Sequence, residues 1–208
     1  MSALLTALGL GFFIGAQHAF EPDHLAAVGT MLPDEPSTRR AAFRGGWWGL
    51  GHGLSIAAIG LPLIALGVQV PEHLEAVAEF VVAVMLVGLG VRAIHKASRV
   101  RGGLDASAPS APRATLPVGL VHGLAGSGAA IVLATTQSPS QAMALVFLGV
   151  FVLGSTLSMA ATTALLSMPM GRIVARPSGM LWLLVVSGLA SVAVGVVWGG
   201  PHMARWLA

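Results

Sequence analysis

The chain of 208 residues contains no cysteine, and only 9% of its residues are charged. Without cysteine there can be no disulfides, no thiolate metal ligands and no thiol redox chemistry. Soluble domains carry about 25% charged residues, so this composition, which is 55% hydrophobic, indicates an integral membrane protein. A phosphate-binding loop is also missing, because Gly123 to Gly128 is not followed by Lys. We therefore expect neither nucleotide hydrolysis nor another enzymatic activity.

Apolar runs dominate the rest of the sequence. A helix needs roughly 20 apolar residues to cross the hydrocarbon core of a bilayer. The short alternating segments typical of barrel strands are not seen. We predict an all-α membrane protein with six transmembrane helices, at about residues 3–20, 45–68, 74–97, 116–136, 141–167 and 179–200.

The basic residues indicate how these helices are oriented. Of the 11 Lys and Arg residues, all except Arg205 fall in or beside the first, third and fifth loops. Because Lys and Arg collect on the cytoplasmic side, both termini should face outward, in a bacterial cytoplasmic (inner) membrane. The basic residues form no patch interleaved with aromatic residues, so we expect the lipid bilayer and not nucleic acid as a partner. The sequence leaves open whether the chain is a homo-oligomer.

The two halves of the chain resemble each other. Residues 50–58 (LGHGLSIAA) match residues 153–161 (LGSTLSMAA) at an offset of 103, and residues 15–18 (GAQH) align with residues 119–122 (GLVH) at an offset of 104. We predict a first three-helix repeat at 1–97, a cytoplasmic linker at 98–115 and a second repeat at 116–208. Three helices per repeat make the second copy enter from the opposite side, which gives the inverted repeats found in secondary transporters.

The segment from Gln17 to His24, at the end of the first apolar run, carries two imidazoles and two carboxylates. Ionisable groups at membrane depth usually pair, bind a ligand or line a path. On an unbroken helix His18 and Asp23 would point roughly 140° apart. Pro22 can break the helix, since it has no N–H and clashes with the preceding turn. We therefore predict a break between His18 and His24 that turns Asp23 toward the interior.

Two further histidines are candidate ligands. His52 lies in the second helix between two glycines, and His122 is equivalent to His18 in the repeat. His122 could equally be a hydrogen-bonded packing residue, whereas we expect solvated positions for His73, His95 and His202. Imidazole with carboxylate suits divalent nickel, cobalt or zinc better than calcium or magnesium. The predicted site binds a metal through His18, Asp23, His24 and His52, with His122 contributing at most from across the repeat axis.

The segment His18-Ala-Phe-Glu-Pro-Asp-His24 resembles the His-x4-Asp-His signature of the nickel/cobalt transporter family, and Leu50-Gly-His52 is similar to that family's motif in the next helix. The resemblance implies translocation of Ni2+ or Co2+, as transported substrate and not as a permanently bound cofactor. The second half departs from that family. Its segment from Val121 to Gly128 looks more like the compact six-helix branch of urease accessory permeases and sulfite-exporter-like proteins in the lysine-exporter superfamily.

Three functions compete on this sequence. The first is a secondary permease for a divalent cation, driven inward by the membrane potential. The second is a transporter of a sulfur oxyanion or an amino acid, which would need Lys, Arg or helix N-termini at mid-membrane, yet no basic residue lies deep in a predicted helix. The third is a membrane factor for metalloenzyme maturation or a metal sensor, which would bind metal without transporting it.

Overall fold

The computed structural model describes residues 2–34, 37–102 and 111–207, and these ranges contain helices but no strand. Two short 3₁₀ turns, Leu32–Asp34 and Pro112–Thr115, join longer elements. The α-helices are α1 (Ser2–His18), α2 (Pro22–Met31), α3 (Thr38–Leu66), α4 (Glu72–Arg101), α5 (Leu116–Thr136), α6 (Gln141–Val174) and α7 (Pro177–Leu207).

The outside of the helix bundle is apolar, as a bilayer requires. Leu5, Phe13, Trp182 and Val197 are 64%, 66%, 69% and 71% exposed. A surface of this kind would associate in water but is solvated by lipid tails. Within the described ranges, α3, α4, α5, α6 and α7 are long and apolar enough to cross a membrane. The prediction of an all-helical protein is thus confirmed for the described ranges, and the length and apolar character of these helices are those of a membrane protein.

The sixth crossing stays a prediction. α1 is apolar but has 17 residues, a length of about 25 Å at 1.5 Å per residue. The hydrocarbon core is about 30 Å thick. The helix boundaries also differ from those expected, because α3 begins at Thr38, capped by the Ser37 side chain. The residues predicted to lie in the first loop, Arg39, Arg40 and Arg44, therefore lie in α3.

The region between the halves is more helical at its edges than predicted. Residues 98–101 of the predicted linker continue α4, and residues 112–115 form a 3₁₀ turn. Residues 103–110 of that linker lie outside the described residues. The division into domains at 97 and 116 therefore stays a prediction.

Helix pairing follows the sequence repeat. α1 packs on α6, α3 packs on both α5 and α6, and α4 pairs with α7, while α2 lies against α7 and α4. If α1, α3 and α4 are the counterparts of α5, α6 and α7, exchanging the halves turns the α1–α6 pair into the α5–α3 pair. The other two pairs map onto themselves. The packing is therefore what a twofold exchange of the halves requires.

Two glycine contacts repeat at the offsets of the sequence match. A Cβ placed on Gly15 would overlap the carbonyl oxygen of Phe151, and a Cβ placed on Gly119 would overlap that of Trp48. Gly119 follows Gly15 by 104 residues, and Phe151 follows Trp48 by 103. Small residues let helix backbones approach closely in a membrane. The close crossing of α1 with α6 thus has its counterpart in the crossing of α5 with α3, and both join one half to the other. The inversion of one half relative to the other stays a prediction.

Candidate metal-binding site

The predicted break in the first helix is confirmed. α1 ends at His18 and α2 begins at Pro22, after three residues without helical structure. Pro22 occupies the first turn of α2, where its missing N–H costs no hydrogen bond. The break re-aims the chain, so Asp23 is 3% exposed and His24 is 1% exposed. Both side chains thus point into the bundle, as the sequence predicted for Asp23.

Three imidazoles meet at this break. His18 lies at the end of α1, His24 in the first turn of α2, and His52 in the middle of α3. Each offers one ring nitrogen, and these three atoms lie within 4.8 Å of one another. The Nε2 atoms of His18 and His52 are 3.2 Å apart. We call these three residues the imidazole triad.

A second set of ligand atoms shares His24 with the first. Asp23, His24 and His122 offer atoms that also lie within 4.8 Å of one another. The Asp23 carboxylate lies between the rings, with Oδ1 3.1 Å from His24 Nδ1 and Oδ2 2.7 Å from His122 Nε2. His122 is 1% exposed. We call this set the carboxylate triad.

The hydrogen bonds of Asp23 leave ring nitrogens available as ligands. An ionised carboxylate only accepts hydrogen bonds, so His24 Nδ1–H and His122 Nε2–H donate to it. The neutral rings then carry their lone pairs on His24 Nε2 and His122 Nδ1. Both atoms are buried and have no hydrogen-bond partner in the described structure. A carboxylate that fixes the tautomer of a metal-ligating histidine in this way is a common arrangement around bound metals.

Glycines bring His52 and His122 close enough to share the site. A Cβ on Gly123, next to His122, would overlap the His52 carbonyl oxygen. A Cβ on Gly51 would overlap the carbonyl oxygen of Leu116. Only residues without a side chain allow α3 and α5 to lie this close. The glycines next to His52 and His122 in the sequence are therefore explained by the close packing of α3 against α5.

A cavity of about 170 Å³ reaches the site from one side. His18, Asp23, His24 and His122 line it, whereas His52 lies behind them and is fully buried. The other polar lining residues are three carboxylates, Glu21, Glu75 and Glu79. No Lys or Arg side chain of the described residues is among the lining. The path to the imidazoles is therefore negatively charged.

The five residues predicted as candidate ligands lie in one cluster in the structure: His18, Asp23, His24, His52 and His122. Glu75 and Glu79 were not among the predicted residues, although their spacing of four residues on one helix is a signal in the sequence. The prediction that His202 is solvated was wrong, because His202 is 8% exposed and pairs with Glu79 at 2.9 Å. His73 and His95 are exposed, as predicted.

The chain has clear relatives among characterised sequences. It is 31% identical over 178 residues to the urease accessory protein UreH of Bacillus sp. (strain TB-90), a match that covers 80% of this chain and 78% of that protein. The chloroplast proteins FOR GROWTH AND FERTILITY 2 and 1 of Arabidopsis thaliana are each 29% identical over 176 and 185 residues. These matches cover 77% and 78% of this chain but 46% and 50% of the plant proteins. No family model and no solved structure matches the chain.

Proposed function

Because this chain belongs to the family of the urease accessory protein UreH, we propose that it is a secondary permease for a divalent transition-metal cation, Ni2+ or Co2+. Urease is a nickel enzyme, so a family named for its maturation fits a nickel-related role. The imidazole triad, with Asp23 and His122 beside it, binds the ion inside the bundle. We place the protein in a bacterial cytoplasmic membrane with both termini outside.

The observation that carries this proposal is the imidazole triad itself. Two nitrogens that bind one tetrahedral ion at about 2.0–2.1 Å lie about 3.3 Å apart. The separation between His18 Nε2 and His52 Nε2 is 3.2 Å, and one of the two atoms carries the proton of this hydrogen bond. Once the proton is released, both nitrogens can bind one ion with little movement. His24 Nε2 supplies a third nitrogen without giving up a hydrogen bond. Three imidazoles favour nickel, cobalt or zinc over calcium and magnesium.

Inward movement needs no nucleotide hydrolysis. One elementary charge that crosses the membrane gains about 2.3 kcal/mol per 100 mV, so a dication gains about twice that amount. The chain contains no phosphate-binding loop of the usual kind. We therefore propose uptake driven by the membrane potential.

The name of the bacterial relative favours a second candidate function. UreH is called an accessory protein, and a membrane factor for metalloenzyme maturation would hold a metal ion without moving it across the bilayer. The same imidazoles would serve that function. The two candidates differ in flux, because only the permease carries the ion from one side to the other.

Metal flux into proteoliposomes tests both candidates. We expect the purified protein to take up Ni2+ or Co2+ when an inside-negative potential is imposed. His24→Ala should abolish uptake, because His24 belongs to both triads. His73→Ala is the control, since His73 is exposed and outside the cluster. Circular dichroism and size-exclusion chromatography check that each variant is folded.

Two outcomes would overturn the proposal in different ways. Metal binding to the parent without potential-driven flux would replace the permease with the maturation factor. Uptake by His24→Ala at the parental rate would show that the cluster of histidines is structural, and the metal site would then be lost as well.

A further inference from the structure

We propose that Glu21, Glu75 and Glu79 form an outer station that collects a hydrated divalent cation and passes it to the imidazole triad. The inference rests on the proposed function, which it extends to the path by which the ion arrives. All three carboxylates line the cavity of about 170 Å³ that ends at His18, Asp23, His24 and His122.

The two carboxylates of α4 face the same side of their helix. Glu75 and Glu79 are separated by four residues, which places them one turn apart on one face. A Cβ on Gly128 of α5 would overlap the Glu75 carboxylate, so this carboxylate lies directly against α5. Both glutamates are half-buried. Both carboxylates therefore face the cavity and are only partly exposed to solvent.

Glu21 lines the same cavity as Glu75 and Glu79 and also contacts an imidazole of the triad. Its Oε1 atom lies 2.7 Å from Nδ1 of His18. When Glu21 accepts that N–H, the lone pair of neutral His18 is on Nε2, the atom that faces His52. The Glu21 carboxylate thus also fixes the His18 tautomer in which Nε2 can bind a metal ion.

A helix N-terminus attracts carboxylates whatever the function of a protein, and α4 begins at Glu72. A separate observation indicates that a ligand binds here. His24 Nε2 is a buried nitrogen without a partner in the described structure, and His24 lines the same cavity. A cation attracted by the carboxylates therefore has a free ligand at the end of the path. A cleft lined by charges of one sign focuses the field and raises the local concentration of the opposite charge.

The ligand atoms of the outer station and of the imidazole triad suit a stepwise loss of water from the cation. Carboxylate oxygens bind divalent ions that keep several water molecules, as they do for magnesium. Imidazole nitrogens suit nickel and cobalt better once water is lost. His202 Nε2 pairs with Glu79 at 2.9 Å, which leaves Glu75 as the carboxylate to test first.

The experiment compares Glu75→Gln with Glu72→Gln in the full-length protein in proteoliposomes, with Ni2+ as the probe. Glu72 lies one turn away on the same helix, is exposed and does not line the cavity. We expect Glu75→Gln to raise the KM for Ni2+ roughly three- to tenfold with little change in the maximal rate, because one charge near the path of a dication is removed. Added salt should shrink the difference, as it screens the charge. Glu72→Gln should behave like the parent.

A second measurement separates this inference from the proposed function. In detergent, equilibrium binding of Co2+ to Glu75→Gln should stay within about twofold of the parent, while the association rate measured by stopped flow falls. Equal KM values and association rates for Glu75→Gln and the parent would overturn the outer station, yet leave the permease intact if His24→Ala still abolishes uptake. A parent protein without Ni2+ flux would overturn the permease, and the association rate alone would then decide whether the carboxylates collect cations.

Discussion

Replacing Asp23 with Asn tests how the carboxylate acts on the histidines. Asn keeps the size of the side chain but offers one acceptor and one donor group in place of two acceptors. In the parent protein, Asp23 accepts hydrogen bonds from His24 Nδ1–H and from His122 Nε2–H. In the variant, one of these rings must turn its lone pair toward the amide, and its outward nitrogen then carries a proton. That nitrogen can no longer bind a metal.

The expected size of the effect follows from this contact. Loss of a group that orients a metal-ligating histidine lowers metal affinity about 10- to 100-fold, or roughly 1.4–2.8 kcal/mol at 1.4 kcal/mol per factor of ten. The closer of the two contacts, 2.7 Å to His122, is the shorter and stronger charge-assisted bond. We therefore expect Asp23→Asn to lower the affinity for Co2+ or Ni2+ by closer to about 100-fold than to 10-fold.

Calorimetric titration of the purified protein, together with the visible absorption of bound Co2+, measures the change. Glu72→Gln makes the same exchange of carboxylate for amide at an exposed position and serves as the control. Binding by Asp23→Asn within about threefold of the parent, with unchanged thermal stability, would refute the orienting role of Asp23.

The remaining predictions concern packing and topology. Gly15→Ala should lower stability by about 1–3 kcal/mol, because its Cβ would overlap the Phe151 carbonyl oxygen; Gly9→Ala has open space and should be neutral or slightly stabilising, as thermal unfolding in detergent can show. In intact cells, a membrane-impermeant thiol reagent should label Gln69→Cys but not Ser178→Cys, since the chain has no cysteine of its own and both positions are exposed. The reverse pattern would contradict outward-facing termini.

The break in the first helix could be predicted from sequence because its cause is local. Pro22 cannot continue a helix that began in the preceding apolar run, and the groups around it are too polar to face lipid. His122 was predicted through the repeat, which puts it at the position of His18. Both predictions needed only neighbouring residues or a comparison of the two halves.

Other features depend on tertiary structure. α2 has ten residues, too few for a hydropathy window, and only its packing against α7 and α4 makes it a buried helix. Glu75 and Glu79 read as charges at a helix end until α5 is placed beside them. His202 lies near the end of the last apolar run, and nothing in the sequence pairs it with Glu79. Each of these errors concerns a contact between distant parts of the chain.

The two triads differ in which half of the chain supplies them. His18, His24 and His52 all belong to the first half, whereas His122 comes from the second. Although His18 and His122 are equivalent in the repeat, the second half has no counterpart of Asp23 and His24, since Gly126-Ser-Gly stands near that position. The imidazole triad is therefore complete within one half. The carboxylate triad exists only where the halves meet, so any movement of one half against the other would alter it first.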